Sequence, residues 1–230
     1  MDETPSGPHC DKYANLAWEG EKMKTIRFAV AVAAILGLAA EPGLAAAQDT
    51  GWSARLGVLD LHPANKSDGG GPLGLPADAI HINNKTMAEF DVFYTFTPNI
   101  VTELVLVLPQ QQEVTLSGTD IGSFKHLPPS LVAQYHFLPG QMFDPYVGAG
   151  LNFTWITSVH LLNGAGDLKK TSFGGVLDIG SDFNVDKRWF VNADIKYITP
   201  LQSDVSVKGT KVSTAKLDPF LYGIGVGYRF

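Results

Sequence analysis

A single cysteine, Cys10, occurs among the 230 residues. It precedes every segment that reads as folded. The rest of the chain therefore has no thiol and no disulfide, which excludes thiol catalysis and cysteine metal sites. No apolar run after Ala47 is long enough for a membrane-spanning helix, and helical periodicity is absent over the same stretch. Positive charge is also scarce: from Gln48 on there are ten Lys and three Arg against fourteen Asp and three Glu, a net charge of −4. These charges are dispersed, so no basic patch argues for a nucleic-acid partner. The histidines from Gln48 on, His62, His81, His126, His136 and His160, have no metal-ligand spacing. Gly69-Gly70-Gly71 has neither a preceding strand nor a following Lys-Ser/Thr, so it is no phosphate cradle. No nucleophile motif surrounds any serine. Neither metal nor cofactor is expected, and an enzyme is not.

What is present begins with a basic segment, Met23-Lys24-Thr25-Ile26-Arg27, and an apolar run from Phe28 to Ala40. Ala45-Ala46-Ala47 then fits a cleavage site, so residues 23–47 read as a secretory signal peptide. Residues 1–22 read as an over-extended, disordered start, and 48–230 as a single domain beginning near Gln48.

That domain has a period of 2 nearly throughout. Eight strands are expected, at 52–61, 86–97, 99–109, 128–138, 144–157, 171–184, 188–199 and 217–230. Their connections alternate between short turns (97–99, 138–143, 185–187) and long polar loops (62–85, 110–127, 158–170, 200–216). Short turns at one end and long loops at the other is the pattern of an all-β, eight-stranded antiparallel transmembrane β-barrel in an outer membrane. The faces agree. In the last strand Phe220, Tyr222, Ile224, Val226, Tyr228 and Phe230 oppose Leu221, Gly223, Gly225, Gly227 and Arg229. Trp52, Tyr94, Tyr135, Trp189 and Tyr228 fall near the short-turn ends, where an aromatic girdle belongs. A soluble lipocalin-like barrel, with its apolar face inward, is the alternative. The charged inward face and the signal peptide argue against it. Terminal Phe230 is similar to the signal read by the barrel-assembly machinery.

Several motifs in order carry a family resemblance: "GWSARLGVLDLHP" (Gly51 to Pro63), "HLPPSLVAQYHF" (His126 to Phe137), "DPYVGAGLNFT" (Asp144 to Thr154), "WFVNADIKYI" (Trp189 to Ile198) and "LDPFLYGIGVGYRF" (Leu217 to Phe230). Together they resemble the OmpW family of outer-membrane proteins. The first loop, "GGGPLGLPADAIHINNKT" (Gly69 to Thr86), is similar to its alkane-importing branch. The resemblance implies an apolar lumen that passes small hydrophobic molecules. One departure is Gln110-Gln111-Gln112, where the family often carries a Phe-Lys-His-type segment.

Strand direction sorts the inward residues by height. Arg55, Asp91, Glu103, Gln134, His136, Asp178, Asp182, Asn192, Asp194, Lys196 and Arg229 lie low, and Leu59, Val105, Val107, Val132, Val176, Ile198 and Leu221 lie high. Buried charges of opposite sign are expected to pair, closing the lower lumen. The apolar upper lumen is either a pocket for solute or simply filled. Inward Gly148, Gly150, Gly174, Gly180, Gly223, Gly225 and Gly227 favour open space, with wall curvature as the other reading. Pro109, Pro128 and Pro129 lack ladder donors and sit together at the outer end of one hairpin. They mark either a lateral exit into the bilayer or the point where the strands stop. The expected function is a channel for small hydrophobic molecules. The alternatives are a filled structural or adhesive barrel and, less well supported, a lipid-modifying barrel enzyme using rim residues near His126 or His160.

Overall fold

A computed structural model describes residues 51–230. The start segment, the signal peptide and the start near Gln48 lie outside the described residues. Fifteen strands follow one another: β1 (Gly51–His62), β2 (Lys66–Ser67), β3 (Ile80–Ile82), β4 (Lys85–Thr97), β5 (Ile100–Val107), β6 (Gln110–Leu116), β7 (Thr119–Leu127), β8 (Ser130–His136), β9 (Phe143–Leu161), β10 (Gly166–Leu168), β11 (Thr171–Asn184), β12 (Trp189–Thr199), β13 (Gln202–Val207), β14 (Thr210–Lys216) and β15 (Phe220–Arg229).

Eight of these close a barrel. Each is antiparallel to the next in the order β1, β4, β5, β8, β9, β11, β12, β15, and β15 returns to β1 with Arg55 opposite Gly227. Closure leaves no free sheet edge, which is what a strand protein in hydrocarbon requires. The alternation of residue types explains the two faces. Leu56, Tyr222, Leu177 and Ile179 lie on the outside and are exposed, whereas their neighbours Arg55, Asp178 and Leu221 are buried. Outside aromatic pairs at the short-turn end, Trp52 on Tyr94 and Trp189 on Tyr228, each have ring centroids 4.9 Å apart. No helix among the described residues is long and apolar enough to cross a membrane; the crossing is made by strands.

The long connections depart from expectation. They are not plain loops. β6 and β7 form a hairpin, as do β13 and β14. β3 adds to β6, β10 bridges β9 and β13, and β2 adds to β14. Both hairpins turn through two residues of positive φ, Ser117-Gly118 and Lys208-Gly209, the backbone of a tight two-residue hairpin turn. β9 has 19 residues, whereas about 9–11 suffice to cross a bilayer. Its upper half therefore projects beyond the membrane, and β7 and β10 build on it. The β6–β7 hairpin lies above the membrane-spanning part of the wall for the same reason.

Candidate functional site

The barrel interior is layered, and each layer follows from which inward side chains the strand register brings level. At the bottom, Arg229 reaches Asp182 at 3.3 Å and lies 4.3 Å from the ring centroid of Phe190. Phe190 meets Phe93 edge to face. Beside them His136 Nδ1 lies 3.0 Å from an Asp144 carboxylate oxygen.

Above this floor is a buried ionic layer. The Arg55 guanidinium donates to Asp91 and to Glu103, both at 2.7 Å, and to the side-chain oxygen of Asn192. It also lies 3.0 Å from Asp194. Lys196 Nζ donates to Asp194 and stands 3.4 Å from Glu103. Gln134 donates to both Glu103 and Asp178 at 2.9 Å. Arg55, Asp91, Glu103 and Lys196 are each at most 2% exposed. One guanidinium fork suits this position because its fixed donors satisfy several carboxylates at once. Of the eight charged residues expected low in the lumen, Arg55, Asp91, Glu103, Asp178, Asp194 and Lys196 share this network, while Asp182 and Arg229 pair one level below. Glu89 and Tyr146 belong to the interior as well. Glu89 lies 3.8 Å from Arg55, and the Tyr146 hydroxyl accepts from Asn192 at 3.0 Å. Inward alternation in β4 and β9 marks both positions.

The inward glycines do not leave open lumen; this is a correction. A Cβ on Gly227 would meet the Phe190 ring at 2.0 Å, one on Gly223 an Asp194 oxygen at 2.2 Å, and one on Gly225 the Arg55 stem at 2.9 Å. At these positions large residues from neighbouring strands fill the room, whereas at Gly150 and Gly174 a Cβ would meet neighbouring backbone oxygens at 2.1 Å and 2.8 Å, the close approach of curved strands that was the other reading.

Leu59, Leu61, Met87, Val107, Val132, Val176, Ile198, Leu201 and Leu221 pack together above the ions. Val105 is buried too, but outside this cluster. A second apolar cluster, including Ile82, Val114, Phe124, Ile156, Leu161 and Val205, is held by the upper hairpins. A cavity of about 30 Å³ lies between the two, room for about two water molecules. Of the seven expected lining residues, Ile198 and Leu221 face it; the others pack beneath or beside it. Leu61, Gln112, Phe124, His126 and Pro128 also line it.

The prolines interrupt the wall on one side. The β5–β8 ladder ends at Val105 opposite Ser130, and the β6–β7 ladder begins at Gln110 opposite His126. Leu106 to Pro109 and Leu127 to Pro129 carry no registered pairing to one another. On the other side the wall is continuous. The Pro129 carbonyl accepts from the Phe153 N–H at 3.0 Å, and Leu127 pairs with Trp155. The Asn152 side chain donates to the Pro128 and Pro129 carbonyls. The prolines therefore do not end the strands at a loop. They separate a membrane ladder from an upper one.

The OmpW family model matches residues 64–230. An uncharacterized outer-membrane protein y4mB of Sinorhizobium fredii is 37% identical over 188 residues, 78% of this chain and 80% of that protein. Outer membrane protein W of Vibrio cholerae is 30% identical over 218 residues, 85% of this chain and 98% of that one. A solid-state NMR structure of outer membrane protein AlkL in lipid bilayers superposes with a TM-score of 0.66 at 24% identity, over 83% of this chain and 95% of that chain. With the closed eight-stranded barrel, its apolar outer face and its layered interior, these likenesses lead to one conclusion: this chain belongs to the OmpW family of outer-membrane proteins of Gram-negative bacteria.

Proposed function

We propose that the barrel admits small hydrophobic molecules from outside and releases them sideways into the bilayer, acting as a passive channel and not as an enzyme. One observation carries this reading: the cavity lies above a sealed lumen and touches Pro128, at the unpaired stretch between β5 and β8. Downward passage would cross a packed apolar layer and then a buried network of charges, a poor path for a greasy solute. Sideways passage crosses a stretch of wall with no ladder between the two strands. Against catalysis, the His160 Nδ1 lies against the Ser158 carbonyl, and His126 is tilted against Phe124 with no acidic or hydroxyl partner among the described residues. We further propose that the barrel-assembly machinery reads the last strand through outward-facing Phe230.

Restoring donors with Pro128→Val/Pro129→Thr is expected to extend the β5–β8 ladder and slow uptake of a hydrophobic probe into cells or liposomes. Val132→Asp is expected to slow it as well, because an unpaired carboxylate in the apolar layer is costly. Folded barrel is equalised by heat-modifiable gel mobility. A folded proline variant that transports at the wild-type rate refutes the lateral exit. If Val132→Asp is also silent, the second reading stands, a filled structural or adhesive barrel. The completely buried Val132 and the small cavity are what favour that reading.

A further inference from the structure

Above the membrane the upper strands continue the wall as a second ring. Its order is β3, β6, β7, β9, β10, β13, β14, β2, and each strand is in antiparallel register with the next. β9 and β10 share one registered pair, Leu161 with Gly166, but they are consecutive strands, and the Ile156 N–H reaches the Lys170 carbonyl below it. The two ends of the order, β2 and β3, meet without a registered ladder among the described residues. One backbone bond crosses there, from the Asp78 N–H to the Ser67 carbonyl at 3.0 Å. Three others run through side chains. The Ile82 N–H donates to the Asn65 side-chain oxygen at 2.7 Å, the Ile80 N–H to the Ser67 hydroxyl at 3.2 Å, and the Ser67 N–H to the Asp78 carboxylate at 3.0 Å. Side-chain oxygens therefore stand where strand carbonyls stand elsewhere in the ring. Such a bond is released by turning a side chain about its own torsions, whereas a ladder bond is released only by moving the backbone.

Each lip of this seam is fastened to its own side. The β2 lip is held to β14: the Asp68 N–H donates to the Thr214 carbonyl at 3.1 Å, the Ser213 hydroxyl donates to the Asp68 carbonyl at 2.9 Å, and Lys216 pairs with the Asp68 carboxylate at 2.8 Å. The β3 lip is held to β6: the Ser117 N–H donates to the Ala79 carbonyl and the Glu113 N–H to the Asn83 side chain, both at 2.8 Å. The connection between the lips, 69–78, contains four glycines, and Gly70, Gly71 and Gly74 have positive φ, a backbone that glycine adopts freely. Behind the seam lie Ile80, Ile82 and Ala215 of the upper apolar cluster. Leu217 packs against both apolar clusters and lines the small cavity together with Pro128. An unbroken apolar interior thus runs from the seam to the interrupted wall.

We propose that the seam between β2 and β3 is the door by which hydrophobic solutes enter the barrel from outside. The lips part when the Asn65 and Ser67 side chains release Ile82 and Ile80, and the solute passes between them along Leu217 toward Pro128. The interior is packed while the seam is shut, so the parting of the lips supplies the room. The proposal rests on the hydrophobic-uptake reading and gives that uptake its entrance.

Lys66 and His81 are exposed residues on the two lips, and no cysteine follows Cys10. Lys66→Cys/His81→Cys therefore sets two thiols across the seam and nowhere else in the barrel. A short bis-maleimide ties them, and N-ethylmaleimide caps them without a tie. The capped form carries the same substitutions, so it controls for the lost contact of His81 with the Asp78 carbonyl. Uptake of N-phenylnaphthylamine, a hydrophobic fluorescent probe, is followed in intact cells with equal folded barrel by heat-modifiable gel mobility, over cells lacking the barrel. The tied form is expected to fall to the level of cells without the barrel, and the capped form to keep the parental rate. Glu113→Cys/Ser123→Cys, tied the same way across the β6–β7 ladder, is expected to keep the parental rate too, because that joint stays closed. Equal uptake by the tied and capped seam forms overturns the door while the uptake reading survives. Equal slowing by the two ties also overturns it, since stiffening anywhere in the ring then suffices. No uptake by the parental barrel above the blank overturns both readings.

Discussion

Arg55→Met removes the hub of the ionic layer while keeping most of the side-chain stem. Three carboxylates depend directly on that guanidinium: Asp91 and Glu103 at 2.7 Å and Asp194 at 3.0 Å. In the variant Lys196, 2% exposed, is left to pair with Glu103 and Asp194, and Asp91 loses the guanidinium that it pairs with. Removing one partner of a buried ion pair costs about 3–5 kcal/mol, whereas the whole stability of a domain is only about 5–15 kcal/mol. Lost packing is minor by comparison, because a buried Arg→Met change keeps most of the apolar volume. The variant barrel is therefore expected to lose about 3–5 kcal/mol, or roughly two to three and a half powers of ten in its unfolding equilibrium. Urea unfolding in lipid vesicles, followed by gel mobility and tryptophan fluorescence, measures this. Arg55→Lys should lose less but not be neutral, since an ammonium cannot reproduce the fork. Lys216→Met, which breaks an exposed pair with Asp68, should be silent because surface pairs are screened and mobile. If Arg55→Met unfolds within about 1 kcal/mol of the parent, the layer does not tie the strands together, and the closed floor must have another origin.

Planar-bilayer recording is expected to show only small conductance, because the ionic layer leaves no wet path; a large, steady, porin-like current would contradict it. Gly150→Ala places a Cβ 2.1 Å from the Leu131 carbonyl oxygen and 2.7 Å from Val132 Cα, contacts with backbone that cannot swing away. A loss of about 1–3 kcal/mol is expected in the same urea assay, whereas Gly51→Ala, with nothing within 4 Å, should be tolerated. His126 contributes a pH dependence of known sign. Its ring titrates near 6.5 when unfolded and at about 4 when buried, so unfolding takes up a proton between those values. Its stabilising contribution is complete above about 6.5 and falls away as pH drops toward about 4. His126→Phe should remove that component from the difference between unfolding curves at the two ends of the window.

The barrel itself was legible from residue order because the evidence for it is local. Alternation of apolar and polar residues needs only neighbours in sequence, and it assigned the eight wall strands, their faces and the height of Arg55, Asp91 and Lys196. The upper hairpins were legible in principle. Ser117-Gly118 and Lys208-Gly209 are tight-turn pairs flanked by alternating runs, but polar composition made both stretches resemble loops. What no local pattern could decide is which inward side chains meet, since that depends on the stagger between strands far apart in the chain. Register put Arg55 opposite Asp91 and Gly227, and filled the glycine positions with Phe190 and Asp194 from β12. It continued the wall above Pro128 and Pro129 along β9 while leaving it unpaired toward β5. It also buried Gln112 and His126, diagonal neighbours on one face of the β6–β7 hairpin with no sequence signal in common, because only packing of the upper hairpins over the barrel covers a face that polar composition reads as loop.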